Sequence, residues 1–494
     1  MTKMKKVMER SIKSKIILLL IIGFSLSACH GDLDVVQKSE VSAQSMWQDE
    51  GDATSAMYGL YNRFRYGFRQ GYIYWGEYRT GLWADGLAGQ TARDQVYQNS
   101  LTQDHEYAKW THIYTTINAA NLILKYTPDI SFSSEENKNK VLANAYYVRA
   151  FCYYWIGRIW GDAPVLLEGF ESDKQEGLFP VRDSADDVFR QVGADIDAAL
   201  NLMPASVSDR NLASLGALHM LKADYSLWMY KVRNGGETAL NNASAAITTV
   251  LGNSTYSLED DFAAIFENEE GREIIFTWSY IQDEFTDGYA NDYLVPSQYI
   301  SAEYIENPVK VGSHQQWCFY TDEYISVLTE NENDQRTIVS YETFYDDLKD
   351  GTFRWINKFS GSWQSGTRIF DSDVVVYRYA DAILFDAEIK NAKNDKAGAI
   401  TSLNRIAKRA YGVDNFYSSS LSKEEVDKAI LTERMKEFAA EGKLWWDYIR
   451  FGVAFKNNPY LAGRENELNV LLWPVAAESI NQNPNIIQTP GYDK

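Results

Sequence analysis

The stretch NAYYVRAFCYYWIGRIWGD, Asn144 to Asp162, decides the fold class. Val148, Cys152, Trp155 or Ile156, and Ile159 recur three or four residues apart, so one side of a 3.6-residue repeat is apolar, and Gly161 supplies a stop. This spacing predicts an amphipathic helix. The next segment, SADDVFRQVGADIDAALNLMP, opens with Ser184 as an N-cap and carries acids in its first turn. It runs Val188, Val192, Ile196, Leu200 to a terminator at Pro204. LASLGALHMLKADYSLWMYKV continues the pattern with Leu215, Leu218, Leu221 or Lys222, Tyr225 and Met229. Helices joined by short polar links form helical hairpins. Further pairs are predicted at 107–126 with 135–160 and at 374–391 with 397–410. Recurring pairs rich in Ala predict a mainly α, tetratricopeptide-like scaffold, although no clean 34-residue repeat is visible.

Between these helices the chain changes character. Residues 62–104 contain NRFRYGFRQGYIYWGEYRTGLWADGLAGQ, dense in Gly and aromatics without a sustained helical period. Residues 253–372 are similar, with strand-like runs such as REIIFTWSYI. Both read as long loops and small hairpins inserted into a helical frame. Loops of that length are uncommon unless they have a function, so a binding face is expected there.

The N-terminus reads as an export signal. Lys3, Lys5, Lys6, Arg10, Lys13 and Lys15 precede an apolar core, Ile16 to Ala28, that is 13 residues long. A membrane-spanning helix needs roughly 20. The core ends in Leu26-Ser27-Ala28-Cys29, which resembles the lipobox of bacterial lipoproteins and makes Cys29 the expected lipid attachment site and mature N-terminus. More than one acyl chain there would make attachment stable. Of the other cysteines, Cys152 lies in the helical pattern and reads as a buried thiol; a disulfide to Cys318 is allowed but not demanded.

Removal of residues 1–28 leaves 42 basic against 67 acidic residues, a net charge of −25. Such a surface argues against a nucleic-acid partner and against adhesion to anionic lipid. Aromatic content is 14%, with 14 Trp and 33 Tyr, which directs attention to a stacking site.

Enzymatic chemistry finds no foothold. No Gly-rich loop is followed by Lys-Ser/Thr and no H-E-x-x-H occurs, so no cofactor is implied. The histidines at 30, 105, 112, 219 and 314 are scattered. The stretch DEFTDGYAND, Asp283 to Asp292, has the flavour of a calcium loop but places Phe285 where a ligand is required. A glycosidase needs a carboxylate pair across a cleft, and nothing singles one out.

The case for binding is stronger. A sugar ring offers apolar C–H faces and a rim of hydroxyls, and it is matched by a flat aromatic beside planar polar groups. WGEYRTGLWAD places Trp75, Glu77, Tyr78, Arg79, Trp83 and Asp85 within eleven residues outside any clear helix. This is the leading candidate cluster. Arg79 has an alternative role as a structural ion pair with Glu77 or Asp85. The second loop region adds Trp278, Tyr280, Tyr289, Trp317, Tyr320, Trp355 and Trp363. Alternation in FTWSY puts Trp278 and Tyr280 on one strand face, buried or exposed. Arg65, Arg69, Arg79 and Arg93 near the first loop would locally reverse the acidic surface.

The segment ERMKEFAAEGKLWWDYIRFG, Glu433 to Gly452, resembles the C-terminal signature of the SusD/RagB family of outer-membrane lipoproteins. Glu433, Arg434, Glu437, Glu441, Gly442, Trp445, Asp447, Arg450 and Gly452 match; Leu444 stands where the family usually has Arg. LLWPVAAESINQNPNIIQTPGY resembles the family's close, with Pro474, Glu478, Asn483, Pro484, Gln488, Pro490, Gly491 and Tyr492 in register. RYADAILFDAEIKN with SLNRIAKRA, and the segments containing Asn144–Val165 and Phe179–Pro204, resemble its other helical parts. The resemblance implies one SusD-like domain over 29–494 behind a 1–28 signal peptide, with tetratricopeptide-like helices about 105–250 and 373–411, insertions about 62–104 and 253–372, and the signature in 422–494. It further implies a surface lipoprotein, not an enzyme, that captures a glycan or sometimes a peptide as a lid on a SusC-like TonB-dependent transporter. The first cluster's position resembles where the family places part of its ligand platform. The signature itself reads as architecture: Glu433, Glu437 and Glu441 are four apart, so they share a helix face that interleaved basic residues can pair with.

Overall fold

The computed structural model describes residues 46–492 apart from 285 and 287; the signal peptide and Cys29 lie outside the described residues. Asp49–Lys494 form one compact unit. Its frame is helical: α1 (Glu50–Phe68), α2 (Gly71–Gly76), α3 (Thr91–Tyr97), α4 (Thr111–Tyr126), α5 (Glu135–Ile159), α6 (Ala185–Leu202), α7 (Leu215–Val232), α8 (Gly236–Leu251), α9 (Tyr379–Ala392), α10 (Lys396–Tyr411), α11 (Lys423–Glu437) and α12 (Leu444–Arg450). Consecutive helices pack in pairs, α4 on α5, α5 on α6, α7 on α8 and α9 on α10. The predicted helices form, with two starts corrected: α4 begins at Thr111 rather than 107, and α9 at Tyr379 rather than 374, because Val374–Arg378 pair as a strand with Ile274–Trp278. The Ser184 hydroxyl accepts the Asp187 N–H at 3.2 Å and caps α6. Val188, Val192 and Ile196 are buried along its inner stripe, and the helix ends before Pro204. Inside the α5–α6 pair, Arg149 donates to both oxygens of Asp195, at 2.6 and 2.8 Å.

The strands are short and local: β1 (Trp83–Asp85), β2 (Ile274–Trp278), β3 (Val295–Pro296), β4 (Val311–Gly312), β5 (Cys318–Tyr320), β6 (Glu342–Asp346), β7 (Gly351–Trp355), β8 (Ser362–Gln364), β9 (Thr367–Ile369) and β10 (Val374–Arg378). They form five two-stranded pairings, β1–β5, β2–β10, β3–β4, β6–β7 and β8–β9. The 253–372 insertion is therefore the expected chain of loops and small hairpins. The 62–104 segment is more helical than expected: α1 runs on to Phe68, α2 follows directly, and α3 covers Thr91–Tyr97. Tertiary packing overrides the loop-like composition. Gly76 closes α2 against the Gly442 carbonyl so tightly that a Cβ there would collide with it.

Among the described residues both remaining cysteines, Cys152 and Cys318, are buried free thiols.

The acidic signature is architectural, with different partners from those expected. Helix α11 ends at Glu437 because Ala440 turns to a left-handed φ of 62°, so Glu441 lies beyond it. The partners of its carboxylates come from distant segments. Glu433 pairs with Arg336 (2.7 Å), Glu437 with Arg378 (2.5 Å) and Arg409, and Glu441 with Lys358 and Arg378 (both 2.9 Å). The side chains of all these groups are buried, that of Arg409 to 4% exposure. Against burial, which disfavours charge, the Arg378 and Lys358 cations hold the Glu441 carboxyl down at about 2. At Leu444, where the family usually has Arg, the side chain is buried and its N–H donates to Glu77 at 3.3 Å. Glu77 also accepts the N–H groups of Ala440 and Lys443, but burial dominates and lifts its carboxyl to about 8.

Candidate functional site

The residues singled out in the sequence separate into three environments. Six are core. Trp278 packs against Phe64, Phe68, Tyr72 and Phe151 with ring centroids 4.9–6.0 Å apart. Trp75 donates its indole N–H to the Tyr107 carbonyl at 2.9 Å. Tyr78 meets Tyr293 and Cys318, Trp83 packs between Tyr293 and Tyr320, and Tyr289 donates to the Ala440 carbonyl. Each of these five aromatic side chains is at most 3% exposed, so none presents a face to a ligand. Tyr320 and Trp355 share that burial. Arg79 is fully buried and structural, though without the expected carboxylate partners. It donates to Asn99 Oδ1 at 2.8 Å and to the carbonyls of Val470 and Leu471 at 2.6 Å, with Trp445 against its guanidinium.

Asp85 and Trp317 meet at the surface. The antiparallel β1–β5 pairing sets Trp83 opposite Tyr320 and Asp85 opposite Cys318. The ladder runs on as the Gly86 N–H donates to the Trp317 carbonyl at 3.3 Å and the Ala88 N–H to that of Gln316 at 3.1 Å. The first aromatic loop is thereby stitched to the second. Trp83 and Tyr320 turn inward, while Asp85 is exposed and Trp317 half-buried. Below the indole lies the buried Arg93 guanidinium of α3, 5.5 Å from its ring centroid. Arg93 pairs with Asp292 at 2.6 Å, and that carboxylate keeps the guanidinium protonated despite its burial. His314, largely exposed, stands 3.7 Å from the same carboxylate. Asp85 folds back over Gly89, where a Cβ would collide with the carboxylate. Partial burial and the neighbouring Asp94 push its carboxyl up. The result is a half-exposed indole over a buried ion pair, with the exposed Asp85 on the paired strand and the exposed His314 against the same Asp292. Arg93, Asp292 and His314 complete a site that local sequence patterns did not assemble.

Tyr280 borders a third place, a cavity of about 770 Å³ within the 253–372 insertion, but its side chain is only 2% exposed; Trp363 stands beside the cavity, against the lining Arg368. Phe266, Tyr280, Lys310, Glu342, Arg368 and Asp371 are among its lining residues. Trp363, half-buried on β8, lies opposite Arg368 on β9, with the guanidinium 5.5 Å from its ring centroid. Lys310 donates to Ser360 at 3.1 Å, and burial lowers its ammonium's pKa. Next to the cavity, Asp373 accepts the Tyr280 N–H at 2.7 Å, and burial lifts its carboxyl to about 7.

Two expectations about charge change. Arg65 donates to the Ser279 carbonyl and pairs with Glu284 at 3.0 Å, Arg93 is neutralised by Asp292, and Arg79 is buried. These arginines do not reverse the acidic surface. Of the calcium-like stretch, residues 285 and 287 lie outside the described residues, and Asp292 is committed to Arg93.

Comparison with known proteins gives the same picture along the chain. A model of the SusD family matches residues 252–492, and one described as starch-binding, associating with the outer membrane, matches residues 79–216. SusD-like protein P38 of Formosa agariphila is 25% identical over 516 residues, covering 98% of this chain and 99% of its own. The structure of B. fragilis NanU superposes with a TM-score of 0.79 at 24% identity over 92% of this chain and 99% of its own. A SusD superfamily protein from Bacteroides vulgatus does so with a TM-score of 0.75 at 25% identity, covering 90% of this chain and all of that one. Among the described residues no helix is long and apolar enough to cross a membrane. With the helical pairs and the loop-rich half each matched by a family model, and relatives aligned over nearly the full length, this chain belongs to the SusD family.

Proposed function

We propose that this protein binds oligosaccharide at the surface where β1 meets β5 and delivers it to a SusC-like TonB-dependent transporter, tethered to the outer membrane through lipid on Cys29. The observation that carries the reading is the half-exposed Trp317 held over the buried Arg93–Asp292 pair. An indole backed by a buried ion pair loses little entropy on stacking against a pyranose face, and the exposed Asp85 carboxylate and His314 imidazole of the same two loops offer hydrogen bonds to hydroxyls. Capture is noncovalent. The half-buried Trp363, against the cavity-lining Arg368, is proposed as a further contact for a longer chain. A net charge of −25 on the mature protein favours neutral over anionic glycans. Calorimetric titration of the mature protein with plant, host and microbial oligosaccharides tests the proposal: saturable binding that Trp317→Ala abolishes supports it, and binding that survives this substitution refutes the site. A peptide ligand is the second reading, favoured by the cavity, where Glu267, Glu269, Glu306, Glu342 and Asp371 outnumber Lys310 and Arg368. Titration with a basic peptide distinguishes the two.

A further inference from the structure

The helical frame meets the C-terminal signature at a small buried cavity of about 30 Å³, lined among others by Arg158 of α5, Asp224 of α7, Arg434 of α11, and Lys443, Trp446 and Arg450. It is remote in chemistry from the loop face, because its walls are buried charges and indoles.

Arg158 is 3% exposed. Tyr154, Trp446 and Trp155 surround its guanidinium, with ring centroids 3.9, 4.5 and 4.6 Å away. Its nearest carboxylate, Asp224, is 3.9 Å off and is already occupied by the hydroxyls of Tyr154 (2.8 Å) and Tyr377 (3.1 Å). Arg158 Nε has no acceptor among the described residues. Arg434 spends Nε on Asp447 at 2.8 Å, but its Nη1 is buried without an acceptor. The indole N–H of Trp446 is in the same state. Buried donors are normally satisfied, and leaving one unpaired costs the full desolvation penalty of the group. Here three unpaired donors line one cavity, and every unpartnered buried polar atom among its lining side chains is a donor.

Charge points the same way. Arg158, Arg434, Lys443 and Arg450 line the cavity against Asp224, Asp381 and Asp447. Glu388, which pairs with Arg450 at 2.9 Å, is itself faced by Lys231 at 3.8 Å, and Glu441 is shared among Arg378 and Lys358, both at 2.9 Å, and Lys443 at 3.9 Å. Among the lining side chains themselves the excess is one positive charge. A guest that only accepts hydrogen bonds, carries one negative charge and fits a space able to hold one or two water-sized atoms is a halide.

We propose that this cavity is a structural halide site, filled by chloride in ordinary salt, which ties α5 to the signature helices α11 and α12. The probe is bromide, which shares chloride's charge and near size and is located by anomalous X-ray scattering. Crystals of the mature protein grown in sodium bromide give a peak in this cavity beside Arg158. In solution, the unfolding midpoint rises with sodium chloride at constant ionic strength made up with sodium gluconate, by about 1.5 °C per tenfold increase above the dissociation constant. Trp446→Phe, which keeps the ring and removes the N–H, weakens that dependence. Absence of the bromide peak, with density there that fits water, overturns the proposal. So does a chloride dependence that is zero, or identical in wild type and Trp446→Phe, since the latter is a general salt effect.

Discussion

Replacement of Arg378 by Met breaks the charge network at its centre. The Arg378 guanidinium is fully buried and reaches three carboxylates, Glu273 at 2.8 Å, Glu437 at 2.5 Å and Glu441 at 2.9 Å, and it also donates to the Glu437 carbonyl at 2.8 Å. Methionine approximates its length and apolar volume, so packing against Phe438 is largely kept while the charge is lost. Removing one partner from a buried pair costs about 3–5 kcal/mol, because the charge left behind pays its desolvation unaided. Arg409 and Arg336 remain beside Glu437, and Lys358 beside Glu441, which sets the expected loss at about 4 kcal/mol. A body of this length unfolds with an entropy of about 0.9 kcal/mol per kelvin, from about 2.1 cal/mol/K per residue, so its midpoint falls by about 4–5 °C. Differential scanning calorimetry at pH 7 reads it directly. The acid side gives a second readout. Glu441 titrates at about 2 in the folded protein and 4.5 unfolded, so its stabilisation is complete above pH 4.5 and is lost as pH falls towards 2. Without Arg378 its folded value rises towards the unfolded one, and the stability that the wild type loses over this acid window becomes smaller in the variant. A variant that melts within 1 °C of wild type, or one with an unchanged acid profile, would refute the assignment of this network as the fold's electrostatic centre.

Three further outcomes are expected. Trp83→Ala removes a fully buried ring and destabilises by about 3–5 kcal/mol, measured by denaturant titration, whereas Trp317→Ala changes stability by less than about 1 kcal/mol. Asp373 titrates at about 7 folded and 3.8 unfolded; the folded state holds its proton longer, so its contribution to stability declines as pH rises from 4 to 7, and Asp373→Asn, which mimics the neutral form, removes that slope in pH-dependent melting. Cys29→Ala leaves the protein without its lipid, and cell fractionation finds it in the soluble fraction; undiminished membrane attachment would contradict lipidation at this residue.

Fold and site were legible in the sequence to different depths, and the reason is distance along the chain. The α6 helix declares itself within twenty residues, through its Ser184 cap, the Val188, Val192, Ile196 stripe and Pro204 beyond its end. Within the 62–104 segment, residues 62–76 read as loop yet are largely helical, because the features that fix them are remote: Gly76 is small to admit the Gly442 carbonyl, and Trp75 packs against Trp160. The site shows the same limit. WGEYRTGLWAD runs into the strand that carries the proposed site, but Asp85 is its one exposed residue. Burial of Trp83 and exposure near Asp85 both follow from pairing with Cys318–Tyr320, which no local period announces. Trp317 was one indole among several, and its distinction is the Arg93–Asp292 pair beneath it, two residues that lie far apart in sequence. Leu444, by contrast, was visible as a departure at once, and the structure supplies the consequence: Glu77 is held there by backbone N–H groups.

The central claim is capture of oligosaccharide on Trp317. Isothermal titration of the mature protein against an oligosaccharide panel, with Trp317→Ala and Trp363→Ala alongside, tests it most directly. The account predicts saturable binding to at least one neutral oligosaccharide, weakened at least about tenfold by Trp317→Ala with no fall in melting temperature. Silence across the panel, or a glycan that binds the Trp317→Ala protein as well as the wild type, would contradict it.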